Sequence, residues 1–213
     1  MKIIDTELPE VKIVEPKRYG DERGFFAETF QAERYRSAGV GSNFVQDNHS
    51  RSSYGVLRGL HYQIRRPQGK LVSVPRGSVF DVAVDMRSDS PRFGEWTGVV
   101  LSEENGRQLY IPPGFAHGFC VISEIADFVY KCTDYYCPEH ERSLLWNDPD
   151  VGIDWPVESP LVSEKDQAGA CLNDAESFES VTLEDALATV DTALTQQREL
   201  AVSARRFQVN LLD

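Results

Sequence analysis

The sequence has no long hydrophobic run, which excludes a membrane-spanning helix of about 20 apolar residues. Its first residues, MKIIDTELPEVK, interrupt a short apolar run with Asp5 and Glu7. They lack the apolar core and the small-residue cleavage site of a secretory signal. We therefore expect a cytoplasmic protein that does not enter a membrane.

Cysteine is also scarce, and its spacing indicates neither a metal site nor a disulfide framework. There is no CxxC pair and no histidine pairing suggestive of zinc around the four cysteines, Cys120, Cys132, Cys137 and Cys171. The four histidines, at positions 49, 61, 117 and 140, are scattered instead of set at ligand spacing. A chain of 213 residues can bury a core without disulfides. We expect free thiols and no metal ion.

Three common catalytic or nucleotide-binding motifs are missing. There is no GxGxxG after a predicted strand, no GxxxxGK[ST] and no GxSxG. Dinucleotide binding, P-loop chemistry and a hydrolase nucleophile elbow therefore lack their signatures. Chemistry without a cofactor becomes the leading enzymatic hypothesis.

Positive charge is in deficit overall, because the net charge is −12. This balance argues against general binding to nucleic acid or to an anionic membrane. Residues 1–76 nevertheless hold 13 Lys and Arg against 9 Asp and Glu, so the remaining residues carry −16. An anionic ligand would find its cations in the first third of the chain, although uneven charge can also merely decorate solvated faces.

Short β-rich runs separated by Gly, Pro, Asn and Asp extend from Lys12 to about Tyr136 and predict a sandwich or small barrel. The clearest strand, Ser78–Met86, has one apolar face and one face that carries Asp81 and Asp85. One early helix is predicted at Gln31–Ser37, ended by Gly39. The apolar content of 41% is ordinary for a globular domain.

The character of the sequence changes after residue 180. Apolar residues recur at helical spacing behind a possible capping box at Thr182–Asp185. They are Leu183, Leu187, Val190, Leu194 and Ala201. We predict a folded domain over residues 1–180 and a C-terminal amphipathic helix within residues 181–213, an extension and not a second domain.

The densest group of candidate functional residues spans positions 55–72. Arg58, His61 and Lys70 lie on adjacent predicted strands, where they could meet inside one barrel mouth. Strict alternation puts Arg58 and His61 on opposite faces, so both can line a cavity only if the strand bulges, and Gly59 is a plausible place for the bulge. Taken alone, His61 is more often a structural histidine, and Lys70 is more often a surface charge.

Two later segments add candidates. His117 follows a rigid Pro-Pro-Gly turn, and Tyr130 shares a strand face with Phe128 and Cys132. An ordinary half-buried strand aromatic is the plain interpretation of Tyr130.

Five motifs, in order along the chain, carry a resemblance to a known family. They are DERGFF (21–26) with Glu28, FVQDNHS (44–50), VLRGLHYQ (56–63), PPGFAHGF (112–119) and LVSEKD (161–166). Together they resemble the dTDP-4-dehydrorhamnose 3,5-epimerase family. The resemblance implies a mainly β fold, a cupin-type antiparallel jelly-roll barrel with a few short helices, which acts as a homodimer on a dTDP-4-keto-6-deoxy sugar and needs no metal or cofactor.

The resemblance also implies roles for individual residues. His61 is the base, Asp166 orients it, Lys70 stabilises the enolate and Tyr130 is the acid that reprotonates the opposite face. Positions that match the family's substrate-binding residues are Arg23, Phe26, Glu28, Gln46, Asn48, Arg58, His117, Glu141 and Lys165.

Two alternatives stay open. A relative that inverts only C3 or only C5 would use the same base and acid, and a catalytically silent sugar-nucleotide-binding barrel would use the same cavity. The tail from Val181 is longer than the family pattern implies, which leaves the oligomeric arrangement open.

Overall fold

Short apolar runs between glycine and proline turns form strands through most of the chain. The computed structural model describes residues 1–41 and 43–179. Within these ranges the strands are β1 (Lys2–Asp5), β2 (Lys12–Glu15), β3 (Arg18–Asp21), β4 (Gly24–Ala27), β5 (Gln46–Ser53), β6 (Val56–Gln63), β7 (Lys70–Arg76), β8 (Ser78–Asp85), β9 (Trp96–Ser102), β10 (Gln108–Ile111), β11 (Phe115–Val121), β12 (Ile125–Cys132), β13 (Glu141–Ser143) and β14 (Leu161–Val162).

The long strands alternate between two sheets, which gives the predicted mainly β, cupin-type jelly roll. One sheet has the order β1-β2-β10-β7-β12-β5, and the other has the order β13-β6-β11-β8-β9, with β14 parallel to β6. All other pairings between these named strands are antiparallel, and β3 and β4 form a separate hairpin. Apolar side chains from both sheets fill the interior, with Val72 and Phe128 on one side and Val79 and Phe119 on the other.

A second apolar cluster covers the outer face of the second sheet. Val82, Val84 and Met86 pack there against Leu144 and Phe178, which belong to the segment that follows the barrel strands. Strand β8 is therefore buried on both faces, and the two predicted carboxylates point into the barrel or its end instead of into solvent.

The helices are short. Helix α1 (Ala32–Ser37) begins as predicted, because the side chain of Gln31 accepts a hydrogen bond from the Arg34 N–H at 2.6 Å. Helix α2 (Glu164–Gln167) begins at the cap Ser163, and a 3-10 turn spans Pro138–His140. No helix in the described part of the chain is long and apolar enough to cross a membrane. The C-terminal helix predicted within residues 181–213 lies outside the described residues, so it and the boundary at residue 180 stay predictions.

Candidate active site

A bulge in β6 brings Arg58 and His61 to one cavity. His61 pairs with His117 and Arg58 pairs with Phe119, so two residues of β6 lie opposite the single residue Gly118. Gly59 has a φ of +117°, and a Cβ on it would lie 2.6 Å from the Cα of Gly118. The predicted bulge at Gly59 is confirmed. The positive φ and the close approach to the backbone of Gly118 both favour glycine at this position.

The imidazole of His61 is held by a buried carboxylate. Its Nε2 lies 2.7 Å from Oδ1 of Asp166, and the other carboxylate oxygen accepts the Gly59 N–H at 3.3 Å. Burial raises the pKa of Asp166, but hydrogen bonds from His61, Gly59 and Ser163 together outweigh it and bring the pKa below its ordinary value. The arrangement fixes which ring nitrogen of His61 carries the proton facing Asp166.

Lys70 places a buried ammonium beside this pair. The side chain is 9% exposed, and its Nζ donates to the carbonyl oxygen of His61 at 3.3 Å. Burial lowers the pKa of Lys70, while the neighbouring Cys132, Asp81 and Glu141 act in the opposite direction. A cation in such a shielded cavity interacts strongly with charge that develops on a ligand.

A second histidine–carboxylate pair lies at the back of the cavity. His117 Nε2 lies 3.1 Å from both carboxylate oxygens of Asp81, which is fully buried. Burial raises the pKa of Asp81 and lowers the pKa of His117, and the attraction between the two opposes both shifts. Asp81 is therefore the partner of a predicted substrate-binding residue, whereas Asp85 binds Arg87 at the strand end.

Tyr130 lines the cavity together with His61 and Lys70. Burial raises the pKa of its phenol. The hydroxyl forms no hydrogen bond with any residue that the structure describes, so it stands available to a ligand. Phe128 lies two residues earlier on the same strand. Its ring packs against the ring of Tyr130, with the centroids 5.9 Å apart.

Polar groups from several elements form the mouth. Glu141 accepts hydrogen bonds from Tyr136 at 2.7 Å and from Lys165. Gln46 donates to Asn48 at 3.1 Å. Arg58 contacts Ser52 and has no carboxylate partner among residues 1–41 and 43–179, so its charge is available to an anion.

The cavity has two contiguous lobes of about 310 and 320 Å³ that share His61, Lys70 and Tyr130. Ten of the sequence-predicted residues line it: His61, Lys70, Tyr130, Asp166, Gln46, Asn48, Arg58, His117, Glu141 and Lys165. The sequence did not single out the other lining residues as site residues, among them Gln63, Gln68, Cys132 and Tyr136. Gln63, Gln68 and Cys132 lie within or beside sequence segments already singled out. That position was the signal that could have identified them.

Three predicted binding residues do not line this cavity. Arg23 and Phe26 lie on the β3–β4 hairpin, where Arg23 pairs with Asp21 and the Phe26 ring is 70% exposed. Glu28 follows the hairpin and pairs with Arg34. Within one chain these residues are separate from the group around His61.

This geometry combines an oriented histidine, a buried lysine and an unbonded phenol around one cavity. A sequence model of the dTDP-4-dehydrorhamnose 3,5-epimerases matches residues 5–174. The chain belongs to this family. A curated dTDP-4-dehydrorhamnose 3,5-epimerase from Pseudomonas aeruginosa is 56% identical over 180 residues, which cover 84% of this chain and 99% of the relative. Membership in the family makes the chain an isomerase.

Solved structures of the family have the same fold. The dTDP-6-deoxy-D-glucose-3,5-epimerase of Legionella pneumophila, in complex with dTDP-4-keto-L-rhamnose, is 61% identical with a TM-score of 0.79 over 81% of this chain and 93% of that chain. A 3'-monoepimerase of Streptomyces bikiniensis, in complex with dTDP-quinovose, is 33% identical with a TM-score of 0.77 over 89% of this chain and 97% of that chain.

Proposed function

We propose that this protein inverts C3 and C5 of dTDP-4-dehydro-6-deoxy-D-glucose to give dTDP-4-dehydro-L-rhamnose, the step that leads towards dTDP-L-rhamnose. The observation that carries the proposal is the His61–Asp166 pair beside a buried Lys70 in one cavity. We place the reaction in the cytoplasm and assign it to the protein's own side chains, without a metal or cofactor.

His61 is the proposed base. A hydrogen on a carbon beside a ketone is acidic enough for removal only when the resulting enolate is stabilised and the base is positioned. The Asp166 carboxylate accepts the ring N–H of His61 at 2.7 Å and stabilises the imidazolium formed when the other nitrogen takes the proton. Because two carbons flank the C4 ketone, the same cycle can act at each of them.

Lys70 is the proposed stabiliser of the enolate. Proton removal from C3 or C5 moves negative charge to the C4 oxygen, and an ammonium 9% exposed to solvent is shielded from the water that would weaken its interaction. The Lys70 Nζ is anchored to the His61 carbonyl oxygen. That contact keeps the cation next to the base it assists.

Tyr130 is the proposed acid. Inversion requires that the new proton arrive on the face opposite the one from which the base removed it. Burial raises the pKa of the phenol, so it stays protonated at neutral pH, yet an enolate carbon is basic enough to accept its proton. The absence of a hydrogen bond to the hydroxyl within residues 1–41 and 43–179 supports this role.

Two groups of residues are proposed to bind the rest of the substrate. Arg58 and Lys165 are suited to phosphate or sugar oxygens, since guanidinium and ammonium groups bind such oxygens directly. Gln46, Asn48, His117 and Glu141 add hydrogen bonds around the same cavity.

We further propose that the active unit is a homodimer in which the β3–β4 hairpin of one chain completes the site of the other. Arg23, Phe26 and Glu28 lie outside the cavity of their own chain, although the family resemblance assigns them to the substrate. An exposed aromatic ring and a guanidinium on one hairpin suit a nucleotide base and its diphosphate.

A single-carbon epimerase is the second candidate, favoured by the likeness to the 3'-monoepimerase of Streptomyces bikiniensis. Its 33% identity is well below the 61% shared with the 3,5-epimerase of Legionella pneumophila, which supports the double inversion.

Proton NMR in deuterated water tests the proposal. The purified protein is incubated with dTDP-4-dehydro-6-deoxy-D-glucose without added metal, and the C3 and C5 signals are followed. Deuterium at both carbons of an L-lyxo product supports double epimerisation. Exchange at one carbon indicates the single-site enzyme, and binding without exchange indicates the silent barrel.

A further inference from the structure

The segment that connects Tyr136 to Glu141 brings three metal-binding side chains together. A thiol, a carboxylate and an imidazole, from Cys137, Glu139 and His140, have donor atoms that all lie within 4.8 Å of one another. The group is formed by the 3-10 turn Pro138–His140, in which Cys137 precedes the turn and His140 ends it. It lies outside the residues that hold His61.

Backbone contacts hold this turn in place without using its donor atoms. The Cys137 N–H donates to the side-chain oxygen of Gln63 at 2.7 Å, and the His140 N–H donates to the Cys137 carbonyl oxygen at 3.0 Å. The Ile64 N–H donates in turn to the His140 carbonyl oxygen at 2.9 Å. The end of β6 therefore holds the backbone of Cys137 and His140 in place.

The side chains themselves remain available. Cys137 shares a hydrogen bond with Glu139, and the imidazole of His140 forms no hydrogen bond within the part of the chain that the structure describes. Two guanidinium groups lie nearby, and each has a carboxylate partner. Arg66 also contacts Cys137, but Asp134 binds its guanidinium through both oxygens at 3.0 and 2.5 Å. Arg142 donates to the Glu139 carbonyl oxygen at 3.2 Å and is paired with Glu176 at 2.6 Å. Each therefore adds little net positive charge to the site.

We propose that Cys137, Glu139 and His140 form a binding site for a divalent cation of the zinc class, with water as the fourth ligand. Thiolate and imidazole ligands select zinc-like ions over magnesium or calcium, which prefer oxygen donors. Metal–ligand lengths of about 2.0–2.3 Å place the donors of a tetrahedral site roughly 3.3–3.8 Å apart. The three donors lie within 4.8 Å of one another, and the exposed Glu139 can approach the tetrahedral spacing by changing rotamer.

The site goes beyond the proposed epimerisation and is not needed for it. It borders the substrate cavity, because Tyr136 and Glu141 flank its ligands in sequence and are bonded to each other at 2.7 Å. The sequence predicted no zinc site, because it has no CxxC pair and no histidine pairing suggestive of zinc around its cysteines. The cluster at Cys137 and His140 runs against the second of these grounds.

Titration of the full-length, tag-free protein with CoCl₂ and ZnCl₂ tests the site. Cobalt should give the intense visible bands of tetrahedral coordination and a near-ultraviolet thiolate charge-transfer band, and zinc should abolish both at one equivalent per chain. Cys137→Ser should remove the charge-transfer band. His140→Ala and Glu139→Ala remove direct ligands, so each should weaken zinc binding by at least the roughly 10- to 100-fold that loss of an outer-shell partner costs.

Matched controls separate this site from other thiols and imidazoles. Cys171→Ser and His49→Ala change the same residue types elsewhere and should leave the spectrum and the affinity unchanged. Glu139 is exposed, so its alanine variant keeps the test valid if Cys137→Ser fails to fold. Tetrahedral cobalt bands that persist in both His140→Ala and Glu139→Ala, or no thiolate band in the unaltered protein, would overturn the proposal.

Discussion

Oδ1 of Asp166 lies 2.7 Å from Nε2 of His61, although 105 positions separate the two residues in the sequence. The short helix α2 makes this contact, because its cap Ser163 accepts the Asp166 N–H at 3.2 Å and turns the carboxylate towards β6. Asp166 is 4% exposed, and its hydrogen bonds keep its pKa below the ordinary value despite burial. The carboxylate is therefore charged at neutral pH.

Asp166→Asn should lower kcat roughly 100-fold or more with little change in KM, because the amide preserves the shape but cannot stabilise an imidazolium. Steady-state kinetics with the dTDP-keto sugar measure both constants. Glu164→Gln, an exposed carboxylate on the same helix, is the control and should behave like the unaltered protein. A larger effect on KM than on kcat would assign Asp166 to binding instead.

Lys70→Met should separate catalysis from stability. We expect kcat to fall roughly 10²–10³-fold, the scale for loss of one oxyanion-stabilising group. Because burial disfavours the ammonium, the free energy of unfolding in urea should stay level or rise by up to about 2 kcal/mol. Lys12→Met, at a surface lysine paired with Asp5, is the control for kinetics. A large loss of stability would make Lys70 mainly structural.

The lowered pKa of Lys70 also predicts a pH dependence in the unaltered enzyme. Deprotonation removes the cation, so kcat should fall as pH rises through the lowered pKa, at a pH below the value of about 10.4 for free lysine. The residual kcat of Lys70→Met should not show this fall as pH rises. A profile of kcat against pH, with stability checked at each pH, measures the difference.

Asp81→Ala should destabilise the fold, because it leaves His117 buried without its carboxylate. Because burial holds the pKa of His117 below its ordinary value, the imidazole left behind is neutral, and loss of its buried hydrogen-bond partner costs about 1–3 kcal/mol. Asp47→Ala removes an exposed carboxylate paired with Lys131 and should cost about 0–1 kcal/mol. Urea unfolding compares the two variants, and similar losses would show that the Asp81–His117 pair contributes little.

Local pattern predicted much of the fold and site. Alternation and turn residues predicted strand Ser78–Met86 and helix Gln31–Ser37, and the conflict between Arg58 and His61 on one strand predicted the bulge at Gly59. Each of these features depends on residues within a few positions of one another, so the sequence alone contains the necessary information.

Long-range contacts could not be predicted from the residues alone. The pairing of Asp81 with His117 depends on the register of β8 against β11, and no local signal specifies that register. Asp166 needed the family resemblance, because nothing in its own segment points to His61. Burial of β8 on its outer face depends on where residues 144–178 return to the barrel.

Tyr130→Phe should uncouple proton exchange from inversion. Without the phenol proton, the enolate formed by His61 should be reprotonated on the original face, so deuterium enters the substrate while little epimer accumulates. NMR in deuterated water measures exchange and inversion together. Tyr54→Phe, an exposed tyrosine outside the cavity lining, is the control. Loss of exchange in parallel with inversion would contradict the assignment of Tyr130 as the acid.

Mixed dimers test whether the β3–β4 hairpin completes the partner's site. His61→Ala and Arg23→Ala should each inactivate a homodimer, the first by removing the base and the second by removing a substrate contact. In a hybrid, one site carries both lesions and the other carries none. An equal mixture that pairs at random should therefore regain about one-quarter of the original activity, since half of the dimers are hybrids with one intact site.

The recovered activity distinguishes the two arrangements because it depends on which chain supplies the hairpin. If Arg23 serves the cavity of its own chain, every site in a hybrid carries one lesion and mixing restores nothing. Mixing His61→Ala with Asp166→Asn is the matched control, because both residues lie in the same cavity of one chain. That pair should stay at the level of the separate variants, whereas recovery there would indicate renatured unaltered protein or exchange of a larger segment.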